Sequence, residues 1–202
     1  METQVFYNLD YVFPEYISKL IAIFVKQGYE IYLVGGSVRD IIMDRPNNDF
    51  DFSTSANYEQ ITKLLSENHI EFDESYRFLN YVVAKIDGND IDISQFHGDS
   101  LYQDLHDRDF SMNAMAYDPS RKIIIDYFDG KKDIENKVIK ILTDDYPIKK
   151  PKVFLRAIRF CLEFGFTLDK HTQERLTANV EALESLRSSS LKNEMLKILK
   201  YL

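Results

Sequence analysis

At 202 residues, with 45% apolar and 29% charged side chains, the chain has a soluble globular composition and room for one full core or two small ones. Its formal net charge of −8 excludes a broad nucleic-acid-coating surface but leaves room for RNA contact through one local patch. It has no run of about 18 apolar residues, so no membrane span is expected. The single cysteine, Cys161, excludes an internal disulfide and fits a reducing, cytoplasmic setting as a small apolar helix residue. The opening METQVFYNLD places no basic region ahead of an apolar one, which predicts no signal peptide.

The first predicted element is an amphipathic helix over 14–28, with Pro14 suited to its first turn, Gly28 to its end, and Ile17, Leu20, Ile21, Phe24 and Val25 on one face. A strand over 30–34 is then broken by Gly35 and Gly36, and Val38, Ile41 and Ile42 have the spacing of a short helix. A strand–Gly-Gly–helix junction turns bare backbone N–H groups towards a phosphate, and Arg39 on the first turn offers a guanidinium fork. After a polar turn over 44–48, a second strand alternates Asp49 and Asp51 on one face with Phe50 and Phe52 on the other. Two carboxylates on one rigid strand beside a phosphate-binding turn are what a Mg²⁺–nucleotide site requires.

A helix over 58–68 and a short strand over 70–72 follow. Strands over 81–86 and 91–96 are joined by Asp87-Gly88-Asn89-Asp90, a strong hairpin signal, and the alternation points Asp92 away from Ile91 and Ile93. Further strands are expected over 123–127 and 138–142. From Pro147 the pattern is helical, with Val153, Leu155, Ala157, Ile158, Leu162 and Phe164 apolar and Gly165 as a stop. Lys149, Lys150 and Lys152 make a local basic patch suited to an RNA backbone. Two last helices are predicted over 172–186 and 190–202, the second with Leu191, Met195, Ile198 and Leu199 on its apolar face.

The stretch 30–54 resembles the first motif of the class II tRNA nucleotidyltransferase and bacterial poly(A) polymerase family, L-V-G-G-x-V-R-D, then D-x-D, then Thr. Here these positions are Leu33, Val34, Gly35, Gly36, Val38, Arg39, Asp40, Asp49, Asp51 and Thr54. Residues 104–116, DLHDRDFSMNAMA, resemble the second motif, D-L-x-R-R-D-F-T-I-N-A-M-A, with Asp107 in place of the first arginine. Residues 92–97 resemble E-V-T-T-F-R with His97 for the arginine, and DYFDGKKD at 126–133 resembles the turn that closes the catalytic sheet. FLRAIRFCLEFGF at 154–166 resembles the start of the helical neck. The E-D-x-x-R element that reads the incoming base falls on Lys149, Lys150 and Val153, so that reader is absent.

The resemblance implies an α+β, polymerase β-like head over 1–146, with a small mixed sheet flanked by helices, and an all-α neck over 147–202. It implies a template-independent transfer of NMP from ATP, CTP or another NTP to an RNA 3′ end, that of tRNA by family. Asp49, Asp51 and Asp92 would hold Mg²⁺ in a two-metal site as the catalytic carboxylates. Gly35, Gly36, Arg39, Arg108, Asp109, Asn113, Arg156 and Arg159 would bind the nucleotide. Asp109 and Asn113 would lie four apart on one face if their segment is helical. Two other readings stand beside this one: a nucleotide- or RNA-binding homologue that has lost transfer, and a transferase acting on a non-tRNA acceptor.

Overall fold

A computed structural model describes residues 5–47 and 49–202. Residues 1–4, which open the N-terminal reading, and Asn48 of the polar turn lie outside the described residues. The chain divides into two units, Met1–Asp107 with Asn113–Tyr127, and Arg108–Met112 with Phe128–Leu202. A head of 1–146 and a neck of 147–202 remain our proposed division along family lines. Among the described residues, no helix is long and apolar enough to cross a membrane.

The first unit runs β1 (Val5–Asn8), α1 (Glu15–Lys26), β2 (Ile31–Val34), α2 (Gly36–Ile42), β3 (Phe50–Thr54), α3 (Tyr58–Glu67), β4 (Glu71–Asp73), β5 (Tyr81–Ile86), β6 (Asn89–Gln95), α4 (Leu101–His106), β7 (Met115–Asp118) and β8 (Ile123–Asp126). The strands form one eight-stranded mixed sheet in the order β1-β8-β7-β2-β3-β6-β5-β4. Among the described residues of this sheet, only the β3–β6 pair is parallel; the other neighbours are antiparallel.

Local chemistry explains most of these boundaries. Pro14 sits at the N-cap of α1, and Gly28 beyond its end takes a left-handed φ of 81°. Ile17, Leu20, Ile21 and Phe24 of α1 are buried, while the expected Val25 is 45% exposed. Asn57 and Gln60 close a reciprocal capping box at the start of α3. At the β5–β6 hairpin, Asp87 and Gly88 both have positive φ (51° and 77°), as a tight primed turn needs. Ile86 therefore pairs with Asn89, and β6 begins two residues earlier than the strand expected from 91. Fully buried Phe24, Leu33, Phe52, Ile61, Leu65, Ile91 and Ile93 form the core, each contributing about 1.5–3 kcal/mol by leaving water.

The second unit holds α5 (Gly130–Glu135), β9 (Val138–Ile139), α6 (Tyr146–Lys149), α7 (Lys152–Phe164), β10 (Thr167–Leu168), α8 (Lys170–Ala178) and α9 (Ser188–Ile198). The expected all-helical neck contains a strand, because β10 pairs in parallel with β9 after Gly165 (φ 68°) ends α7. The strand expected over 138–142 is shorter than predicted, and Ile141 instead bridges Phe110. The helix expected over 172–186 is α8 followed by a 3₁₀ turn at Val180–Ser185.

Two apolar faces differ from their sequence patterns. On α7, Val153, Leu155 and Ala157 are buried with Phe154 and Phe160, but Ile158 and Leu162 are exposed. On α9, Leu191 and Met195 face outward, as does Leu199 just past its end, and the buried row is Glu194 and Ile198. The cause is electrostatic. Glu194 accepts from Arg159 (3.2 Å) and pairs with Lys152 (3.2 Å), and both partners lie on α7. A buried charge must stay with its counter-ions, so that row turns inward and the leucines do not.

Candidate active site

The parallel β3–β6 pair sets the geometry of the candidate site. Its register places Asp51 directly beside Asp92, and Ser53 beside Ser94. Phe50 and Phe52 point to the other face, where both rings meet that of Phe13. The strand phase that assigned Asp92 to the carboxylate face therefore holds. Asp49, one residue ahead of β3, is exposed. Burial raises the Asp92 carboxyl above its ordinary value, and the negative charges of Asp49 and Asp90 raise it further. Like charges held together by a rigid sheet favour a cation between them.

Among the described residues, no three His, Cys, Asp or Glu side chains stand together as a complete metal cage. Mg²⁺ seldom needs one: it takes one or two carboxylates, keeps several waters and draws its other oxygens from substrate phosphates. Asp51 beside Asp92, within the field of Asp49, suits that requirement for hard oxygen donors.

The Gly-Gly turn lies between β2 and α2. Gly35 caps α2 with φ 71° and ψ −136°, a conformation that side-chain-bearing residues adopt only under strain. Gly36 fits a tight space of another kind. A Cβ there would stand 3.3 Å from Nη2 of Arg39, whose guanidinium lies against it. Gly35→Ala is expected to destabilise the protein by about 1–3 kcal/mol in urea unfolding. A change within experimental error would show that the turn relaxes without cost.

Arg39 is buried. Its Nη1 donates to Oδ1 of Asn113 (2.6 Å), and Nε and Nη2 face Oδ1 of Asp40 at 3.0 and 2.9 Å. The arginine of the first motif and the asparagine of the second thus meet in one unit. Ser37, which carried no role in the sequence reading, joins the turn to the carboxylate strand. Its hydroxyl donates to the Asp49 carbonyl (2.7 Å) and accepts from the Asp51 amide (3.4 Å). A small hydroxyl residue just inside a helix start is the available sequence signal, because such residues bond to nearby backbone.

Asp104 was also missed. It is buried on α4 and accepts from the His97 amide (3.0 Å) and from the Ser53 hydroxyl (3.2 Å). Ser53 in turn meets Ser94 across the strands at 3.2 Å. An acid on the apolar side of a short helix, between Leu101 and Leu105, was its signal. Two departures from the family motifs also face each other: His97 Nδ1 lies 3.4 Å from Asp107.

The segment 104–116 is not one helix. It comprises the end of α4, a turn, a 3₁₀ turn at Ser111–Asn113 and the start of β7. Asp109 and Asn113 therefore do not share a helix face, and they fall in different units. Tertiary pairing prevails over helix spacing here: the Ser111 amide donates to the Lys140 carbonyl (2.9 Å), and the Leu142 amide to the Asp109 carbonyl (3.2 Å). Within the second unit, buried Asp109 accepts from Nε of Arg156 and from the Phe110 amide (2.9 Å). Arg159 is held by Glu163 (2.8 Å) and Glu194, with its guanidinium 4.2 Å from the Phe160 ring centre. Arg108, at the head of the same segment, is half-buried. The three lysines are not a bare cationic row: Lys149 pairs with Asp145 (2.5 Å), Lys150 lies 5.3 Å from the Tyr146 ring centre, and Lys152 meets Glu194.

This architecture has known counterparts. Residues 31–102 and 87–140 match the poly(A) polymerase head domain. The chain is 34% identical over 173 residues to the CC-adding tRNA nucleotidyltransferase of Halalkalibacterium halodurans, covering 85% of this chain and 45% of that one. It is 30% identical over 212 residues to the CCA-adding enzyme of Lactobacillus helveticus, with 90% and 51% covered. It thus spans about half the length of the curated relatives it matches. The Thermotoga maritima CCA-adding enzyme complexed with tRNA superposes with a TM-score of 0.86 at 26% identity, over 99% of this chain and 52% of that one. For the Bacillus stearothermophilus CCA-adding enzyme in complex with CTP the values are 0.83, 29%, 93% and 49%. The motifs and these likenesses agree, and the chain belongs to the class II tRNA nucleotidyltransferase and bacterial poly(A) polymerase family.

Proposed function

We propose that the chain is a template-independent nucleotidyltransferase that adds NMP from an NTP to an RNA 3′ end, foremost that of tRNA, in a cytoplasmic setting. The observation that carries this reading is the Asp51–Asp92 pairing on parallel strands, with Asp49 close enough to act on Asp92. In the reaction, the RNA 3′ oxygen bonds to the α-phosphorus of the NTP, the bond to pyrophosphate breaks, and the hydroxyl proton is released. Asp51 and Asp92, with the Asp49 charge close by, would hold Mg²⁺, which when bound offsets triphosphate charge and eases ionisation of the 3′ hydroxyl.

The protein's own contribution is placement. The Gly35–Gly36 turn and the amides at the start of α2 would receive phosphate oxygens, while Arg39 orients Asn113. Arg108, Asp109, Arg156 and Arg159 keep the nucleotide role that the motif resemblance assigns them. Lys149, Lys150 and Lys152 keep a proposed contact to the RNA backbone. Base choice is where this chain departs from its family. Lysine only donates and Val153 is buried and apolar, so the donor–acceptor pattern of the E-D-x-x-R reader cannot form.

The test is incubation with each labelled NTP, Mg²⁺ and RNAs that include a tRNA lacking its 3′ end. NMP incorporation with weak C/A discrimination is expected. A strict CCA product would refute the discrimination claim. NTP binding without any incorporation would favour the binding homologue, the reading that Asp107 in place of an arginine supports. Incorporation into a non-RNA hydroxyl would identify a different acceptor.

A further inference from the structure

A cluster of exposed aromatic side chains adjoins the carboxylate face of the first unit. In the connection between β4 and β5, Phe78 is 78% exposed, Leu79 57% and Tyr76 37%. Large apolar side chains gathered on a surface loop mark a contact site more often than chance exposure does. The cluster is also held in place. The Tyr76 and Tyr81 rings stack at 4.6 Å with their planes 20° apart. A 3₁₀ turn at Arg77–Leu79 ends on Asn80 in the left-handed conformation. The Arg77 guanidinium lies 5.5 Å from the Tyr58 ring centre, and the Tyr58 hydroxyl donates to Glu74 (3.5 Å). A loop fastened in this way presents its rings at little further entropic cost.

Its position relative to the site follows from register. Val83 pairs with Asp92 and Tyr81 with Ser94 across β5–β6, and directly opposed residues share a face. Tyr81 therefore stands on the same face as Asp92 and Asp51, one pair further along.

We propose that Tyr76, Phe78 and Tyr81 form a stacking platform for the terminal nucleobases of the RNA acceptor, holding its 3′ end beside Asp92. This rests on the transferase reading above and adds to it the element that receives the acceptor strand. Nucleobases are the occupant that fits: a flat aromatic surface accepts any base through its π-face without a hydrogen-bond code, as a sequence-tolerant 3′-end contact requires. Arg77 lies on the same turn, with its Nη2 3.8 Å from Glu59.

The test uses the full chain and a short single-stranded RNA ending in 2-aminopurine, whose fluorescence is quenched by stacking. Wild type is expected to quench it on binding. Phe78→Ala combined with Tyr76→Ala should lose the quench and raise the RNA Kd about tenfold or more, while Phe78→Trp retains both. NTP affinity should be unchanged, and Phe78→Ala alone, which leaves the Tyr76–Tyr81 stack in place, should weaken RNA binding with an unchanged thermal midpoint, which separates loss of the platform from misfolding. RNA binding without quenching, no RNA binding, or a double variant within twofold of wild type would each overturn the platform. Quenching lost in the double variant, with no NMP transfer by wild type, would uphold the platform and refute the transferase reading instead.

Discussion

Asp51→Asn is expected to reduce NMP transfer about a thousandfold or more, with little loss of stability. The carboxylate lies beside Asp92 on a rigid parallel pair, so its removal takes away a charge the site needs and leaves no apolar cavity. Metal-ion stabilisation of a phosphoryl transition state supplies several kcal/mol, which sets the size of the effect. A labelled-primer assay reads the transfer, and Mn²⁺ titration reads the metal. Unchanged Mn²⁺ affinity in the variant would undercut the assignment of this carboxylate.

The same cluster predicts a pH dependence. Asp92 has a folded-state carboxyl raised by burial and by Asp49 and Asp90. Its contribution to stability is therefore full below the ordinary carboxylate value and is lost as pH rises through the raised one. Metal binding runs the opposite way, weakening as pH falls through that same value. Asp92→Asn is expected to melt slightly higher at neutral pH while losing transfer. A lower melting temperature across the whole range would mean that Asp92 is a structural carboxylate already satisfied by its neighbours.

Asp109→Ala is expected to cost about 3–5 kcal/mol of stability, the usual penalty for breaking one side of a buried ion pair. Burial works most strongly against the Arg156 cation, and the charge and hydrogen bond of Asp109, with the charges of Glu194 and Tyr146, together outweigh it; removing the aspartate leaves much of that burial penalty uncompensated. The substitution also removes the acceptor of the Phe110 amide. Denaturant unfolding measures the loss, and the double variant Asp109→Leu with Arg156→Met should recover much of it. Intact stability with weakened NTP binding would instead show that Asp109 acts chiefly on the nucleotide.

The first motif was largely legible because its signals are local. The positive φ at Gly35, the alternation of Phe50, Asp51 and Phe52, and the Asp87-Gly88 turn depend on residues within a few positions of one another. Asp92 was legible from the resemblance and its strand phase together: period two assigns a face, but no spacing within one strand names the neighbouring strand. The misreadings share one cause. Residues 104–116 have helical spacing, yet their backbone is drawn into pairing with residues 140–142. The leucine row of α9 has an amphipathic period, yet buried Glu194 sets which side turns inward.

The sequence by itself determined the family, the strand–Gly-Gly–helix turn and the identity of the acidic residues, because these follow from residue type and short spacing. Tertiary structure alone decided that Asp51 and Asp92 stand side by side, that Arg39 grips Asn113, and that Asp109 serves Arg156. Those partners lie about 40 to 75 positions apart in the chain. Pairing over such distances is chosen by which buried charges and strand edges satisfy one another, a competition that no local pattern records.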